Sequence, residues 1–466
     1  MFIRKGMAFM KNSAKRALIG ALFALSLASC NIHIGPSNSP SVTSTEESSF
    51  SSSSVSEPDP TLDKLEFLLA PNGRSYSVRA KSKDETKGEV VIPSAYQGLP
   101  VTVVGDNGFA ECSGITSLYL PDTITIIEQA AFIDCTSLKE VRLGGGLTVI
   151  DKEAFRRCQN LLAVDIPDYV RIIGDEAFRA CYALKEVTFG ESLNTIGINA
   201  FSLTDLRELN FPESLTSIGS FAFSDCDQLT SVNIPYSVES VGAGAFSTCT
   251  SLDCIEVDLD NVNYSSEDGV LYDKGKKKVV CYPAAKYVIE IPEGVTHLGE
   301  YSYSGIQKSS IDIPDSVVSI GDCAFSPSSL RTINFGKNVK TIGMGAFSSC
   351  HNLDAFEIPE SVISLGARAL SYTQIKSFVL PERFTSVPDG LFSYCSYLES
   401  VTLSKNVTSI GNRAFEYCRS LETLIFEGTI DEWGHVAKGG YWHTQCPFQE
   451  VQCSNGTIDA GYFVEE

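Results

Sequence analysis

The sequence predicts a β-rich solenoid of about 22–23 residues per coil, with a parallel strand face and a cap at each end. One observation is a skeleton, clearest from Leu161 to Cys181, that reads L-x-x-V-x-I-P-x-x-V-x-x-I-G-x-x-A-F-x-x-C. The other is its regular recurrence, marked by Phe109, Phe132, Phe155, Phe178, Phe201, Phe223, Phe246, Phe325, Phe347, Phe392 and Phe415, with Leu370 in the same slot. A fixed period in the low twenties indicates stacked coils rather than a globular core.

Each part of the repeat has a physical role. The alternation in L-x-x-V-x-I is typical of a short strand with one buried face. The Pro or Gly that follows ends the strand, because Pro lacks a ladder N–H and Gly allows turn torsions. The V-x-x-I-G pair returns the chain along the opposite side, and the Phe and Cys fill the bend.

Stacking buries the apolar edge that a single repeat leaves exposed. Each strand then lies about 4.8 Å from its equivalent in the next coil. About thirteen coils predict a sheet on the order of 60 Å long, which is large enough for a protein partner.

The repeat resembles the BspA-like (Treponema pallidum type) leucine-rich repeat of bacterial surface proteins. The similarity covers roughly residues 90–426, and a good copy runs from Ile234-Pro235-Tyr236-Ser237-Val238 to Ala245-Phe246-Ser247-Thr248-Cys249. Departures are repeat drift: Thr204, Ser328 and Thr373 replace the Cys, and Leu370 replaces the Phe. The resemblance implies a leucine-rich-repeat solenoid that binds a partner at the cell surface.

The segment 1–29 has the pattern of an export signal. It carries five positive charges and no acid, followed by an apolar run from Ala17 to Ala28 that is short for a membrane span. The sequence Leu27-Ala28-Ser29-Cys30 resembles the lipobox of bacterial lipoproteins. We therefore expect a lipoprotein signal peptide over 1–29 and lipidation at Cys30. An ordinary signal peptide with an incidental Cys is the alternative.

The remaining segments follow from composition and from breaks in the period. Residues 30–60 are rich in Ser, Thr, Pro and Glu, which predicts a disordered tether or, alternatively, a glycosylated stalk. We expect an N-terminal cap over 61–104, repeats over 105–257 and 291–428, and a C-terminal cap over 429–466. The long gap between Phe246 and Phe325 holds a degenerate copy near Tyr303 and an insertion over 258–290. There Gly269–Asp273 and Lys278–Pro283 flank a Lys-Gly-Lys-Lys turn, which predicts a hairpin.

The 15 cysteines do not indicate a disulfide framework. We expect most of them to be buried free thiols, because parallel rungs disfavour the torsion that a disulfide needs. Nine share one repeat slot: Cys112, Cys135, Cys158, Cys181, Cys226, Cys249, Cys350, Cys395 and Cys418. Near the C-terminus, Cys446 and Cys453 either form a local disulfide or pack in the core. With His435 and His443 they match no common zinc spacing.

No pattern for catalysis or for a cofactor is present. The chain lacks G-x-S-x-G, H-E-x-x-H and a phosphate-binding glycine loop. Asp258, Asp260 and Asp268 do not fit a calcium loop, because Val262 would occupy its fifth position. We therefore expect no enzyme activity, metal or cofactor. The formal net charge of −21 disfavours nucleic acid and anionic membrane surfaces as ligands.

The informative surface is the outward side of the L-x-x-V-x-I strands, here named the strand face. It is polar, mildly acidic and poor in aromatic residues. Its candidate binding residues are Ser117, Tyr119, Glu140, Arg142, Asp165, Glu186, Thr188, Glu208, Asn210 and Asn233.

We therefore expect an exported, lipid-anchored surface protein that adheres to a protein of the host matrix, of host cells or of other bacteria. Glycan capture for nutrient uptake is a second hypothesis, although the strand face offers mainly Tyr119 as an aromatic platform. A structural surface scaffold is the third.

Overall fold

A computed structural model describes residues 61–460 of the chain. The predicted signal peptide, the lipidation site at Cys30 and the predicted tether lie outside these residues. Within them, no helix is both long and apolar enough to cross a membrane. Residues 61–460 belong to one compact unit.

The N-terminal region contains a short 3-10 helix (Leu62–Lys64) and five strands. The strands are β1 (Leu65–Leu69), β2 (Tyr76–Ala80), β3 (Gly88–Val91), β4 (Ala95–Tyr96) and β5 (Leu99–Val104).

The first run of coils alternates a strand of the L-x-x-V-x-I segment with a two-residue strand of the V-x-x-I segment. The order is β6 (Ile115–Tyr119), β7 (Ile126–Ile127), β8 (Glu140–Arg142), β9 (Val149–Ile150), β10 (Ala163–Asp165), β11 (Ile172–Ile173), β12 (Glu186–Thr188), β13 (Thr195–Ile196), β14 (Ser217–Ile218), β15 (Ser231–Ile234), β16 (Ser240–Val241) and β17 (Cys254–Val257).

The insertion and the second run of coils follow. The insertion holds β18 (Tyr264–Glu267), β19 (Val270–Asp273) and β20 (Lys278–Cys281). The coils hold β21 (His297–Leu298), β22 (Ser310–Asp312), β23 (Ser319–Ile320), β24 (Thr332–Asn334), β25 (Thr341–Ile342), β26 (Ser364–Leu365), β27 (Ser377–Leu380), β28 (Ser386–Val387), β29 (Ser400–Leu403), β30 (Ser409–Ile410) and β31 (Thr423–Phe426). The C-terminal region has α1 (Ile430–Gly434), β32 (Ala437–Lys438), β33 (Glu450–Cys453) and β34 (Gly456–Asp459).

The architecture is the predicted β-solenoid with parallel strands. It makes about 16 turns rather than the thirteen expected, because both predicted caps contribute coils. In the N-terminal region β3 pairs with β6 and β5 pairs with β7, so both ladders begin before residue 105. The antiparallel β1–β2 pair covers that edge, with β2 lying parallel to β5.

The longest sheets are formed by the V-x-x-I strands, which we name the return ladder. A ten-stranded sheet carries this ladder from β5 to β16, and a seven-stranded sheet carries it from β20 to β26. The strand face, by contrast, is divided into short sheets such as β10–β12, β15–β17 and β22–β24. The strand-face sheet expected from the sequence is therefore interrupted between these groups of strands.

The A-F-x-x-C segments form a third stacked column of turns, here called turn segments. Two residues in most of them have positive φ, as at Glu153 (59°) and Arg157 (60°). Non-glycine residues in this region are strained. The strain is offset because their N–H groups donate to the next coil, from Glu153 to the Asp175 carbonyl and from Arg157 to the Arg179 carbonyl, each at 2.8 Å.

The marker Phe side chains stack into a buried column. From Phe109 to Phe246 neighbouring rings are nearly parallel, and their centroids lie 5.1 to 5.7 Å apart. Each buried ring contributes about 1.5–3 kcal/mol of transfer free energy. The degenerate copy at Tyr303 is confirmed, because its buried ring lies 5.2 Å from Phe325.

The insertion supplies its own ring to the second part of the buried column. β19 and β20 pair antiparallel around the Lys274–Lys277 turn, as the sequence predicts, and β18 adds a third strand that was not expected. β20 then joins the return ladder through β21. Its neighbour Tyr282 stacks on Tyr303 at 4.8 Å and so occupies the Phe slot.

The C-terminal region adds one more coil before it closes the solenoid. β32 extends the return ladder from β30, and β33 extends the strand face from β31. Phe415 donates its N–H to the Trp442 carbonyl at 2.7 Å, as Phe392 does to the Ala414 carbonyl, so Trp442 lies at the Ala position of the repeat and His443 at the Phe position. The Trp442 ring packs edge-on against Phe415, with the ring centroids 6.2 Å apart. The antiparallel strand β34 then covers the last edge.

Candidate functional site

The strand face presents its side chains in rows that cross the coils. Strands β8, β10 and β12 each show one buried residue between two exposed residues. Ser117 and Tyr119 are half-buried. The other candidate residues are exposed: Glu140, Arg142, Asp165, Glu186, Thr188, Glu208, Asn210 and Asn233.

The strand register brings some of these residues together. Tyr119 pairs with Arg142, whose guanidinium lies 5.4 Å from the ring centroid. Asp165 pairs with Thr188, and the Thr188 hydroxyl donates to the Asp165 carboxylate at 2.7 Å. These contacts hold the two pairs of side chains in place in the absence of a partner.

Other candidates are separated by a gap in the sheet. Glu208 and Asn210 lie in a coil without a strand-face strand. There the ladder bond from the Thr230 N–H to the Arg207 carbonyl is 3.4 Å long. The two residues stay exposed, but their row is less firmly held than the row of β10 and β12.

The carboxylates of the strand face supply its charge. Glu140, Glu186 and Glu208 are exposed, and their carboxylates make no hydrogen bond or ion pair with another described residue. By contrast, turn-segment acids such as Glu176 are paired, here with Arg179 at 3.0 Å. The strand face therefore keeps acidic groups available for a partner.

The cysteine slot is chemically quiet. The nine thiols are buried and unpaired by disulfides, and most of their Sγ atoms lie near the Phe carbonyl of the preceding coil. Cys181 Sγ, for example, donates to Phe155 O at 3.2 Å. Burial raises the pKa of Cys181 to about 12, which keeps it protonated and unreactive.

The C-terminal His and Cys residues have separate structural roles. Cys446 donates to the Phe415 carbonyl at 2.9 Å and continues the cysteine column, and Cys453 ends β33; no disulfide joins the two. The ring centroids of His443 and Trp442 lie 4.1 Å apart, and burial lowers the pKa of His443. Among residues 61–460, no group of three or more His, Cys, Asp or Glu side chains is arranged to hold a metal ion.

One surface feature was missed by the sequence reasoning. Tyr372, Tyr394 and Tyr417 occupy the same position in consecutive turn segments, directly before the Cys slot. Their rings stack at 4.5 and 4.7 Å. Tyr372 and Tyr394 line an open groove of about 490 Å³, which we name the turn-face groove. The signal was present in the sequence as a Tyr that recurs once per repeat in three successive copies.

Comparisons with solved structures place this geometry among bacterial surface proteins. A leucine rich cell surface protein from Faecalibacterium prausnitzii is 27% identical, with a TM-score of 0.54 over 80% of this chain and 96% of that one. The pneumococcal vaccine antigen PcpA is 20% identical, with a TM-score of 0.56 over 86% and 96%. A leucine-rich repeat protein from Eubacterium ventriosum is 22% identical, with a TM-score of 0.50 over 85% and 97%. The last two likenesses concern the fold alone.

The search of curated protein sequences found no significant match. The family model of the BspA type leucine rich repeat region matches in 6 copies, over residues 102–226, 198–269, 285–399 and 327–437. These matches cover more than half of the chain and contain both runs of coils. The chain therefore belongs to the BspA type leucine-rich repeat family.

Proposed function

We propose that this chain is an exported, lipid-anchored protein that binds a protein partner at the cell surface and catalyses no reaction. The family supports a protein-binding surface protein. The similar Faecalibacterium protein is described as a cell surface protein. The charged N-terminus, the apolar run and Cys30 support the export and the anchor.

The observation that carries the proposal is the arrangement of the strand face. Outward residues alternate with buried ones and lie in register with the next coil, as Glu186 does with Ala163 and Thr188 with Asp165. Such a surface is preformed, so a partner that binds it loses less conformational entropy. The unpaired carboxylates of Glu140, Glu186 and Glu208 favour a partner with a basic patch.

Adhesion to a protein of the host matrix, of host cells or of other bacteria is the setting that we propose. Affinity would come from many modest polar contacts across several coils, because the face has few aromatic anchors. Increasing salt would weaken the contact, since exposed charge pairs are screened.

The experiment is a binding screen of the purified chain against matrix proteins, host glycans and the chain itself, at low and high salt. The test variant replaces Glu140, Glu186 and Glu208 by Gln. The control variant replaces Glu213, Glu239 and Glu360, which are exposed outside the strand-face strands.

Saturable binding to a matrix protein that weakens by about tenfold or more in the test variant, and is unchanged in the control, supports the proposal. Equal loss in both variants would point to net charge rather than to the strand face. Binding of glycans alone would favour nutrient capture, and self-association alone would favour a surface scaffold.

The lipid anchor has an independent test. Replacing Cys30 by Ser removes the thiol that would carry the lipid, so the protein should leave the membrane fraction for the soluble fraction. A Cys254→Ser variant is the control, because that residue lies in the solenoid strand β17. Retention of the Cys30→Ser variant in the membrane fraction would contradict lipidation at this position.

A further inference from the structure

The turn-face groove has a lining suited to a polar ligand. It lies on the turn segments of the coils from Ser348 to Glu416 and has a volume of about 490 Å³, which is within the range of ligand sites. No aliphatic side chain lines it. Apart from Gly390, every lining residue carries a hydroxyl, carboxylate, amide or guanidinium group.

Two of the three stacked tyrosines, Tyr372 and Tyr394, line the groove. Tyr372 and Tyr394 are almost parallel, with an interplanar angle of 4°, and Tyr394 and Tyr417 are related by 15°. Tyr372 is 43% exposed and Tyr394 is 40% exposed, so stacking leaves the ring edges and hydroxyls at the surface. In the preceding coil the equivalent residue is Ser349. No aromatic ring therefore continues the stack on that side of Tyr372.

Gly390 opens the groove between two arginines. It occupies the turn-segment position that Arg368 holds one coil earlier and Arg413 one coil later. A Cβ at Gly390 would lie 2.9 Å from Arg368 Cγ, so a side chain there would fill the groove. Because Gly390 has no side chain, nothing at this position separates the side chains of Arg368 and Arg413.

The two arginines differ in their partners. Arg413 Nε lies 3.9 Å from Glu416 and its guanidinium lies 6.0 Å from the Tyr441 ring. The Arg368 side chain makes no hydrogen bond or ion pair with any described residue. The nearby carboxylate of Asp389 already accepts the Asn412 backbone N–H at 2.7 Å. The guanidinium of Arg368 therefore has donors available for an anion.

We propose that the turn-face groove binds a saccharide that carries a carboxylate, with Arg368 as the residue that recognises the acidic group. A guanidinium donates two parallel hydrogen bonds to a carboxylate. Sugar hydroxyls can donate to Asp389 and Glu416 and can accept from Asn412, which matches the hydrogen-bonding groups of the lining. The open face of Tyr372 provides an aromatic surface for the C–H side of a sugar ring.

A peptide is a poorer match to the same groove. Protein contacts gain most of their affinity from a buried core of aromatic and aliphatic side chains. Here the apolar surface is limited to tyrosine rings that already stack on each other. Protein binding is therefore an outcome that the test must distinguish. The groove lies on the turn segments, not on the strand-face strands, so its test is independent of the adhesion proposal.

The experiment is calorimetric titration of the purified chain with acidic saccharides and with their neutral counterparts. Trigalacturonic acid is compared with its methyl ester, and sialyllactose is compared with lactose, so that the two pairs separate polyuronate from sialic acid as the source of the carboxylate. We expect one acidic member to bind about tenfold or more tightly than its neutral counterpart, because an ionic hydrogen-bonded pair is lost.

An Arg368→Gln variant identifies the site. Arg171→Gln is the matched control, because Arg171 is exposed beside the return-ladder strand β11 and lies outside both the groove and the strand face. Arg368→Gln should reduce the affinity for the acidic saccharide by about tenfold and leave the thermal unfolding midpoint unchanged, because its side chain bonds to no described residue. Arg171→Gln should leave the affinity unchanged. Equal binding of acidic and neutral saccharides, an unaffected Arg368→Gln variant, or binding of proteins but no saccharide through this groove would each overturn the proposal.

Discussion

At the residue scale, the cysteine slot requires a small side chain that can donate a hydrogen bond. The Cys158 thiol lies 3.3 Å from the Phe132 carbonyl of the preceding coil. Where the slot holds Thr, at Thr204 and Thr373, the hydroxyl donates at 2.8 Å to the carbonyl three residues earlier. Thr and Cys are thus similar in size and both place a hydrogen-bond donor on a buried carbonyl, Thr on that of its own coil and Cys on that of the preceding coil.

This equivalence predicts the effect of substitutions at Cys158. Cys158→Ala removes the donor and leaves a small cavity, so it should lower the free energy of unfolding by about 1–2 kcal/mol. Cys158→Thr should cost less, because the slot accepts a hydroxyl elsewhere in the chain. Urea unfolding followed by circular dichroism measures both variants. A Thr variant less stable than the Ala variant would contradict the equivalence.

At the element scale, a column of glycines sets how closely the coils approach where the return ladder enters the turn segments. A Cβ at Gly219 would lie 2.5 Å from the Gly197 carbonyl carbon, and a Cβ at Gly242 would lie 2.3 Å from the Ser220 nitrogen. Both neighbours are backbone atoms, which cannot move aside as a side-chain tip can. Glycine is therefore required here for close approach rather than for positive φ.

We expect Gly219→Ala to lower the free energy of unfolding by about 1–3 kcal/mol, because two coils must move apart. Gly145→Ala is the matched control. A Cβ there would first meet a side-chain atom, Asp122 Oδ1, at 3.5 Å, which is ordinary contact. Differential scanning calorimetry of the two variants tests this difference. Equal unfolding temperatures for the two variants would show that the coils adjust freely.

At the scale of the whole molecule, the cysteine column couples stability to pH. Burial raises the pKa of Cys181 and of Cys350 to about 12 and that of Cys395 to about 11, from an ordinary value of 9.0. These thiols ionise at a lower pH in the unfolded chain than in the folded chain. Above pH 9 the unfolded state therefore binds fewer protons than the folded state, and the free energy of unfolding decreases as pH rises.

The solenoid should thus keep the full contribution of these thiols below pH 9 and lose it progressively between about pH 9 and pH 12. Thermal unfolding at a series of pH values under reducing conditions measures the slope. A Cys181→Thr, Cys395→Thr double variant separates the contribution of these thiols to the slope from that of lysines and tyrosines, because the variant removes only the two thiols. The double variant should have a shallower slope between pH 9 and pH 11. An identical slope in both proteins would assign the pH dependence to other groups.

The sequence by itself determined the repeat, the inward and outward positions and the columns of Phe and Cys. It could do so because each residue in a solenoid packs against its own equivalent one coil away. A given position of the repeat is therefore exposed or buried for the same reason in every copy. Local pattern and tertiary contact therefore carry the same information over most of the chain.

Only the tertiary structure decided the features in which different coil positions meet. Tyr282 takes the Phe slot and stacks on Tyr303 although it does not lie at the usual spacing. Trp442 lies at the Ala position of the last coil, yet its ring is the one that packs against Phe415. The return ladder is more continuous than the strand face. The continuity of each ladder depends on the lengths of the hydrogen bonds between coils, which the repeat pattern does not encode. The turn-face groove requires Arg368, Gly390 and Tyr394 from successive coils to adjoin, and a one-dimensional pattern does not show the space between them.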